Sequence, residues 1–223
     1  MWIQELWRYP VKSLQGLTPA RAPSEAARER GDSVAALAST GTQERRVAGG
    51  VVTYLGEFEA YWEYLLDRGI VSSAPNPGFG GGGLFTLSGH LVGVISLSLN
   101  EIARNSLAIP VEFYQGHRQE LLQHGRIVSR PRRAWLGVFA HGLEEGVVVA
   151  GVVPGGPGDR GGLQEGDLIV SLNTEEVGSR RDLYLSLWRH EPGERLTVEV
   201  MRDNRLRRLD VTGGDRAYFY RQV

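Results

Sequence analysis

The chain of 223 residues contains no cysteine, so disulfides, thiolate catalysis and cysteine-based zinc sites are excluded. Lysine is almost absent too: Lys12 is the only one, and arginine carries nearly all the positive charge. A formal net charge of -1 gives no electrostatic case for binding nucleic acid or an anionic membrane. No apolar run is long enough to span a bilayer. The first residues also lack a charged segment leading into an apolar one, so no export signal is expected in the chain as written and its compartment is left open. No cofactor is expected. What is present is ordinary for a globular protein, 41% hydrophobic and 23% charged residues over a length that suits one large domain or two smaller ones.

Glycine is plentiful and concentrated in one stretch, Asn76-Pro77-Gly78-Phe79-Gly80-Gly81-Gly82-Gly83-Leu84. Gly78, Gly80 and Gly83 match the letters of a dinucleotide fingerprint, which requires a following helix whose N-terminus holds the pyrophosphate. The residues that follow, Leu84 to Leu87 and Leu91 to Leu99 around a Ser88-Gly89 turn, read instead as a β-hairpin. No Gly-Lys-Ser/Thr sequence follows either, so a phosphate-cradling loop is excluded as well. The stretch taken alone also suits a plain surface turn.

With its flanks the stretch has an ordered pattern: Asn-Pro-Gly-x-x-Gly-Gly-x-Leu, a hairpin, Val-Gly-Val-Ile-Ser at 92–96, and Ala-Ile-Pro-Val at 108–111. This pattern resembles the nucleophile loop of the HtrA (DegP-like) family of trypsin-fold serine proteases, which reads Gly-Asn-Ser-Gly-Gly-Pro-Leu. The alignment sets Gly78 and Gly81 on family glycines and puts Gly80 where the family has its serine, so the resemblance implies a degenerate loop with no catalytic residue. In that fold the histidine and aspartate come from a first barrel that has no counterpart in this sequence. His90, His117, His124, His141 and His190 all lack the family's context for the base and read as surface histidines. Leu17 to Ala38 resembles the inter-barrel connection of that family, which ends in Gly-Asp (here Gly31-Asp32) and a β-strand. Strand-like segments at Val47 to Leu55, Gly69 to Ala74, Leu84 to Leu87 and Leu91 to Leu99 fit a β-barrel, the second of the protease pair, over residues 17–115. The aromatic-rich stretch Phe58 to Leu66 fits a short helix or a loop packing its rings on that barrel. Met1 to Gly16 faintly resembles the opening of MOSC-family proteins, has no support later in the chain, and is left without a function.

Pro110 to Leu122 reads as a helical connector, and 116–133 as connector plus a basic hinge, Ser129-Arg130-Pro131-Arg132-Arg133. From Ala134 to about Gly213 the sequence resembles a bacterial PDZ domain. The residues are Trp135-Leu136-Gly137-Val138, the β-branched run Val147 to Val153, Gly161-Gly162-Leu163-Gln164-Glu165-Gly166-Asp167, and Arg181-Asp182-Leu183. The expected fold class is therefore mainly β, a trypsin-like second barrel followed by an α+β PDZ domain, with 214–223 as a tail. Ser179 should cap a helix ending before Pro192-Gly193.

The resemblance implies recognition of peptide or protein C-termini, added as a strand beside the helix. The carboxylate would be held by the loop Trp135, Leu136, Gly137 and Val138. The pocket for the last side chain would be Leu136, Val138, Leu183 and Leu187, each of which equally suits plain core packing. The tail, which ends in Val223, is itself a candidate ligand. The main functional expectation is an HtrA-like pseudoprotease in protein quality control. A serine endopeptidase known only as a truncated or altered chain, and a regulator that inserts among homologous protease subunits, are the other readings. Family members are usually in the cell envelope or periplasm.

Overall fold

A computed structural model describes residues 29–39, 44–76, 80–99 and 105–221. The expectations for Met1 to Gly16, for Gly78 and Phe79, and for the terminal Val223 lie outside them. The described residues divide into two compact units, one comprising those up to Phe58 and from Asp67 to Ser129, the other Glu59–Leu66 and those from Arg130 onward.

The first unit is a closed barrel of six strands in the order β1-β2-β3-β6-β5-β4. The strands are β1 (Ser33–Ser39), β2 (Arg45–Ala60), β3 (Tyr64–Ser72), β4 (Gly83–Thr86), β5 (Leu91–Ser98) and β6 (Ser106–Pro110). Alternation in β1 turns Val34, Ala36 and Ala38 inward, as a strand with one buried face requires. Val34 and Ala36 meet Val52, Ile70, Leu84, Val92 and Ile95 in the barrel core. The barrel closes where β1 pairs with β4, setting Ala36 against Leu84. Two short helices follow, α1 (Val111–Gly116) and α2 (Arg118–His124), where one connector helix is expected. They break at His117, whose φ of -124° and ψ of 16° lie outside helical geometry. After Gly125 the chain is tied back by Glu120, which accepts from the Val128 and Ser129 N–H groups and from the Ser129 hydroxyl.

The second unit is built on a sheet of order β12-β11-β9-β8-β7, with β10 paired to β9. Its strands are β7 (Val138–Leu143), β8 (Gly146–Val152), β9 (Leu168–Leu172), β10 (Glu175–Glu176), β11 (Arg195–Arg202) and β12 (Arg205–Thr212). Helix α3 (Pro157–Arg160) follows β8, α4 (Arg180–Leu187) follows β10, and α5 (Arg216–Phe219) ends the described chain. Ser179 caps α4 as expected, accepting from the Asp182 N–H. The turn from β11 to β12 places Asp203 and Asn204 at φ 51° and 56°, the left-handed pair of a tight hairpin. Asp167, fully buried at the mouth of β9, is held by a two-pronged pair with Arg202, at 2.5 Å from Nε and 2.7 Å from Nη2.

The stretch 58–66 departs from expectation. It is neither helix nor a loop laid on the barrel: β2 runs to Ala60, a turn covers Tyr61 to Glu63, and β3 begins at Tyr64. Residues 59–66 belong to the second unit, where Leu65 packs on the core.

Candidate functional site

The loop leading into β7 is shaped by one glycine. Gly137 has φ +75°, and a Cβ there would lie 3.1 Å from the Trp135 ring. That left-handed residue turns three successive N–H groups, of Leu136, Gly137 and Val138, toward one point. The loop is braced from behind: the Leu136 carbonyl accepts from Gly158 (2.6 Å) and the Gly137 carbonyl from Val153 (2.7 Å).

A carboxylate sits at that point, and it belongs to Glu63. Its Oε1 accepts from Gly137 (2.7 Å) and Val138 (3.1 Å), and its Oε2 from Leu136 (3.2 Å). Glu63 is only 5% exposed and adopts φ 57°. Burial pushes its pKa up from 4.5 to about 7, against the opposing pull of the three N–H groups and of Arg216. The turn that delivers it is fixed by Tyr184 of α4. The Tyr184 hydroxyl donates to the Ala60 carbonyl (2.6 Å) and accepts from the Glu63 N–H (3.2 Å). These are the first and fourth residues of a four-residue turn, the groups that pair directly in a hydrogen-bonded β-turn. Burial raises the Tyr184 pKa, keeping the hydroxyl a donor. Along β7, Ala140 donates to the Tyr61 carbonyl at 2.7 Å. Arg180 pairs with Glu59 (2.7 Å), and Arg216 donates to the Trp62 carbonyl (3.1 Å). The Tyr61 ring lies parallel to His141, 6.2 Å between centroids.

The sequence-derived loop residues Trp135, Leu136, Gly137 and Val138 are together here. The Trp135 side chain points into the domain's own structure, against Phe219 and Tyr220 of the tail, and its backbone bridges Gly214. Leu136, Val138, Leu183 and Leu187 share one core cluster and are at most 2% exposed. The tail is folded against Trp135, with Asp215 capping α5. Two hinge arginines have partners in the second unit: Arg132 pairs with Asp215, and Arg133 lies 4.6 Å above the Trp188 ring. His190 is held between Asn173 and Glu194. In the glycine-rich stretch, Gly81 is buried with φ 102° and donates to Ile95 (2.7 Å), and Gly80 is partly buried.

Glu63 and Tyr184 were not legible as site residues. Tyr184 adjoins Leu183 in a core pattern, and Glu63 lies far from the loop in sequence. The one available signal was an acidic residue inside the aromatic run Tyr61-Trp62-Glu63-Tyr64.

Residues 134–212 match the PDZ domain family model. Over 202 residues the chain is 32% identical to a probable periplasmic serine endoprotease, DegP-like, of Ectopseudomonas mendocina, covering 82% of this chain and 41% of that protein. It is 27% identical to the serine endoprotease DegS of Haemophilus influenzae, covering 85% of this chain and 58% of that one. The HtrA-type protease AlgW, solved with a decapeptide, superposes with TM-score 0.52 at 26% identity, covering 86% of this chain and 63% of that one. The chain is HtrA-like and carries a PDZ domain. Its fold class is that of the family, a trypsin-like barrel followed by PDZ. This HtrA-like chain spans about half the length of the relatives it matches. No helix among its described residues is long and apolar enough to cross a membrane.

Proposed function

We propose that this HtrA-like chain reads the C-terminal carboxylate of hydrophobic peptides through its PDZ unit, in a quality-control role, with the barrel as scaffold. One observation carries the reading: three backbone N–H groups, of Leu136, Gly137 and Val138, converge on a single carboxylate. Backbone donors bind that group without a charged side chain, and the edge of β7 offers main-chain pairing to an extended peptide. The decapeptide in the AlgW structure supports a peptide as the ligand class. Proposed contacts are Trp135, Leu136, Gly137 and Val138 in the loop, with Leu183 and Leu187 of α4 beneath the terminal side chain.

The barrel belongs to the same proposal as a pseudoprotease element, because Gly80 supplies no attacking hydroxyl. A serine elsewhere in the loop would still need an oriented base at hydrogen-bonding distance.

Fluorescence anisotropy of the full chain tests the reading, using labelled peptides ending in free Val, Leu or Phe and their amidated copies. Tighter binding of the free acids, with Kd on the order of micromolar, is expected. Equal binding of free and amidated forms would refute it.

A further inference from the structure

The groove that would take a peptide C-terminus is filled by the chain's own residues. Three features of the filling resemble a bound peptide. A carboxylate lies in the loop, at 2.7 Å from the Gly137 N–H. The occupying backbone pairs with the edge of β7, through Ala140 and the Tyr61 carbonyl. The direction is also antiparallel to β7: the Tyr61 carbonyl meets the Ala140 N–H, and the side-chain carboxylate of Glu63, two residues on, meets the N–H groups of Val138, Gly137 and Leu136, earlier in the facing chain. A turn anchored only for packing would place an apolar side chain there, since a carboxylate is costly to desolvate unless donors await it. Those donors belong to the loop that the ligand itself would need.

We infer that Glu63 is an internal competitor for the carboxylate loop, so that a peptide C-terminus enters by displacing the 60–63 turn. The inference rests on the reading of this groove as a C-terminus receptor. Peptide affinity is then reduced by the fraction of time the turn is docked, and the ligand class is one able to replace all the contacts of the turn, an extended segment ending in a free carboxylate. Tyr184 is the positioning residue. Its hydroxyl hydrogen-bonds the main chain of the turn, at Ala60 and Glu63.

The test is peptide anisotropy on the full chain and on Glu63→Ala, Glu63→Gln and Tyr184→Phe, each checked for folding by circular dichroism. Free-acid peptides are expected to bind Glu63→Ala at least about tenfold tighter than the parent, the population-shift factor for a groove open about a tenth of the time. Tyr184→Phe leaves the carboxylate loop intact and should tighten binding in the same direction, so the inference survives a failure of the Glu63 variants to fold. Amidated copies should gain nothing. Free-acid binding that is equal in the parent and the folded variants would overturn the competitor while leaving C-terminus reading intact. Absence of any free-acid preference in parent and variants alike would overturn both.

Discussion

Glu63 is a carboxyl group whose environment works against its charge. Burial raises its pKa and the three loop N–H groups and Arg216 oppose the rise, leaving it at about 7. The other charged or titratable groups around the turn are the Arg180–Glu59 pair, the Tyr184 hydroxyl and His141 beside Tyr61. The folded value exceeds the unfolded one, so the folded state binds the extra proton. Its contribution to stability is complete below pH 4.5 and is lost as pH rises through about 7. At 1.36 kcal/mol per unit, the change is on the order of 3 kcal/mol. Thermal unfolding of the parent minus that of Glu63→Gln, followed from pH 5 to 8, should show the parent's relative stability falling across that window. A flat difference would mean that the site does not titrate there. At Gly137 the φ of +75° and the nearby Trp135 ring make Gly137→Ala strained, at a cost of roughly 1–3 kcal/mol. Denaturant unfolding measures that cost, and misaimed donors should weaken free-acid binding as well.

Helix α4 is eight residues long and would not hold alone in water. Its order comes from the buried face of Leu183, Tyr184 and Leu187, and from the Ser179 cap. Ser179→Ala should cost about 1 kcal/mol, read as a shift in denaturant midpoint with unchanged slope. Because α4 also carries Tyr184, looser helix ends should raise amide exchange at residues 60–63. At β9, the buried Asp167 pairs with a partly exposed Arg202, and the charge-assisted hydrogen bonds raise the pKa of the arginine. Arg202→Met leaves the fully buried Asp167 carboxylate without its partner and should cost about 3–5 kcal/mol in unfolding free energy.

At the scale of the whole molecule, the chain leaves the first unit after Phe58, gives residues 59–66 to the second, and returns at Asp67. The groove is therefore satisfied by a sequence-distant part of the same polypeptide, at far higher effective concentration than a free peptide reaches. On the proposed reading, with glycine at position 80, this chain should not hydrolyse an unfolded fluorogenic protein substrate. Turnover by the chain would refute the pseudoprotease part of the proposal.

The sequence alone determined the mainly β class, the PDZ-like order of motifs, the Ser179 cap and the place of the glycine-bearing loop 135–138. Each is written in neighbouring residues: a left-handed glycine, a β-branched run, a cap three residues before its donor. It also marked strands of the barrel, because alternation with period two records which face is buried. Tertiary structure decided what fills the loop. Glu63 and Tyr184 are separated by 121 positions and meet only after the turn has docked. No local propensity encodes such a contact; it exists because a buried carboxylate needs donors and the loop offers three.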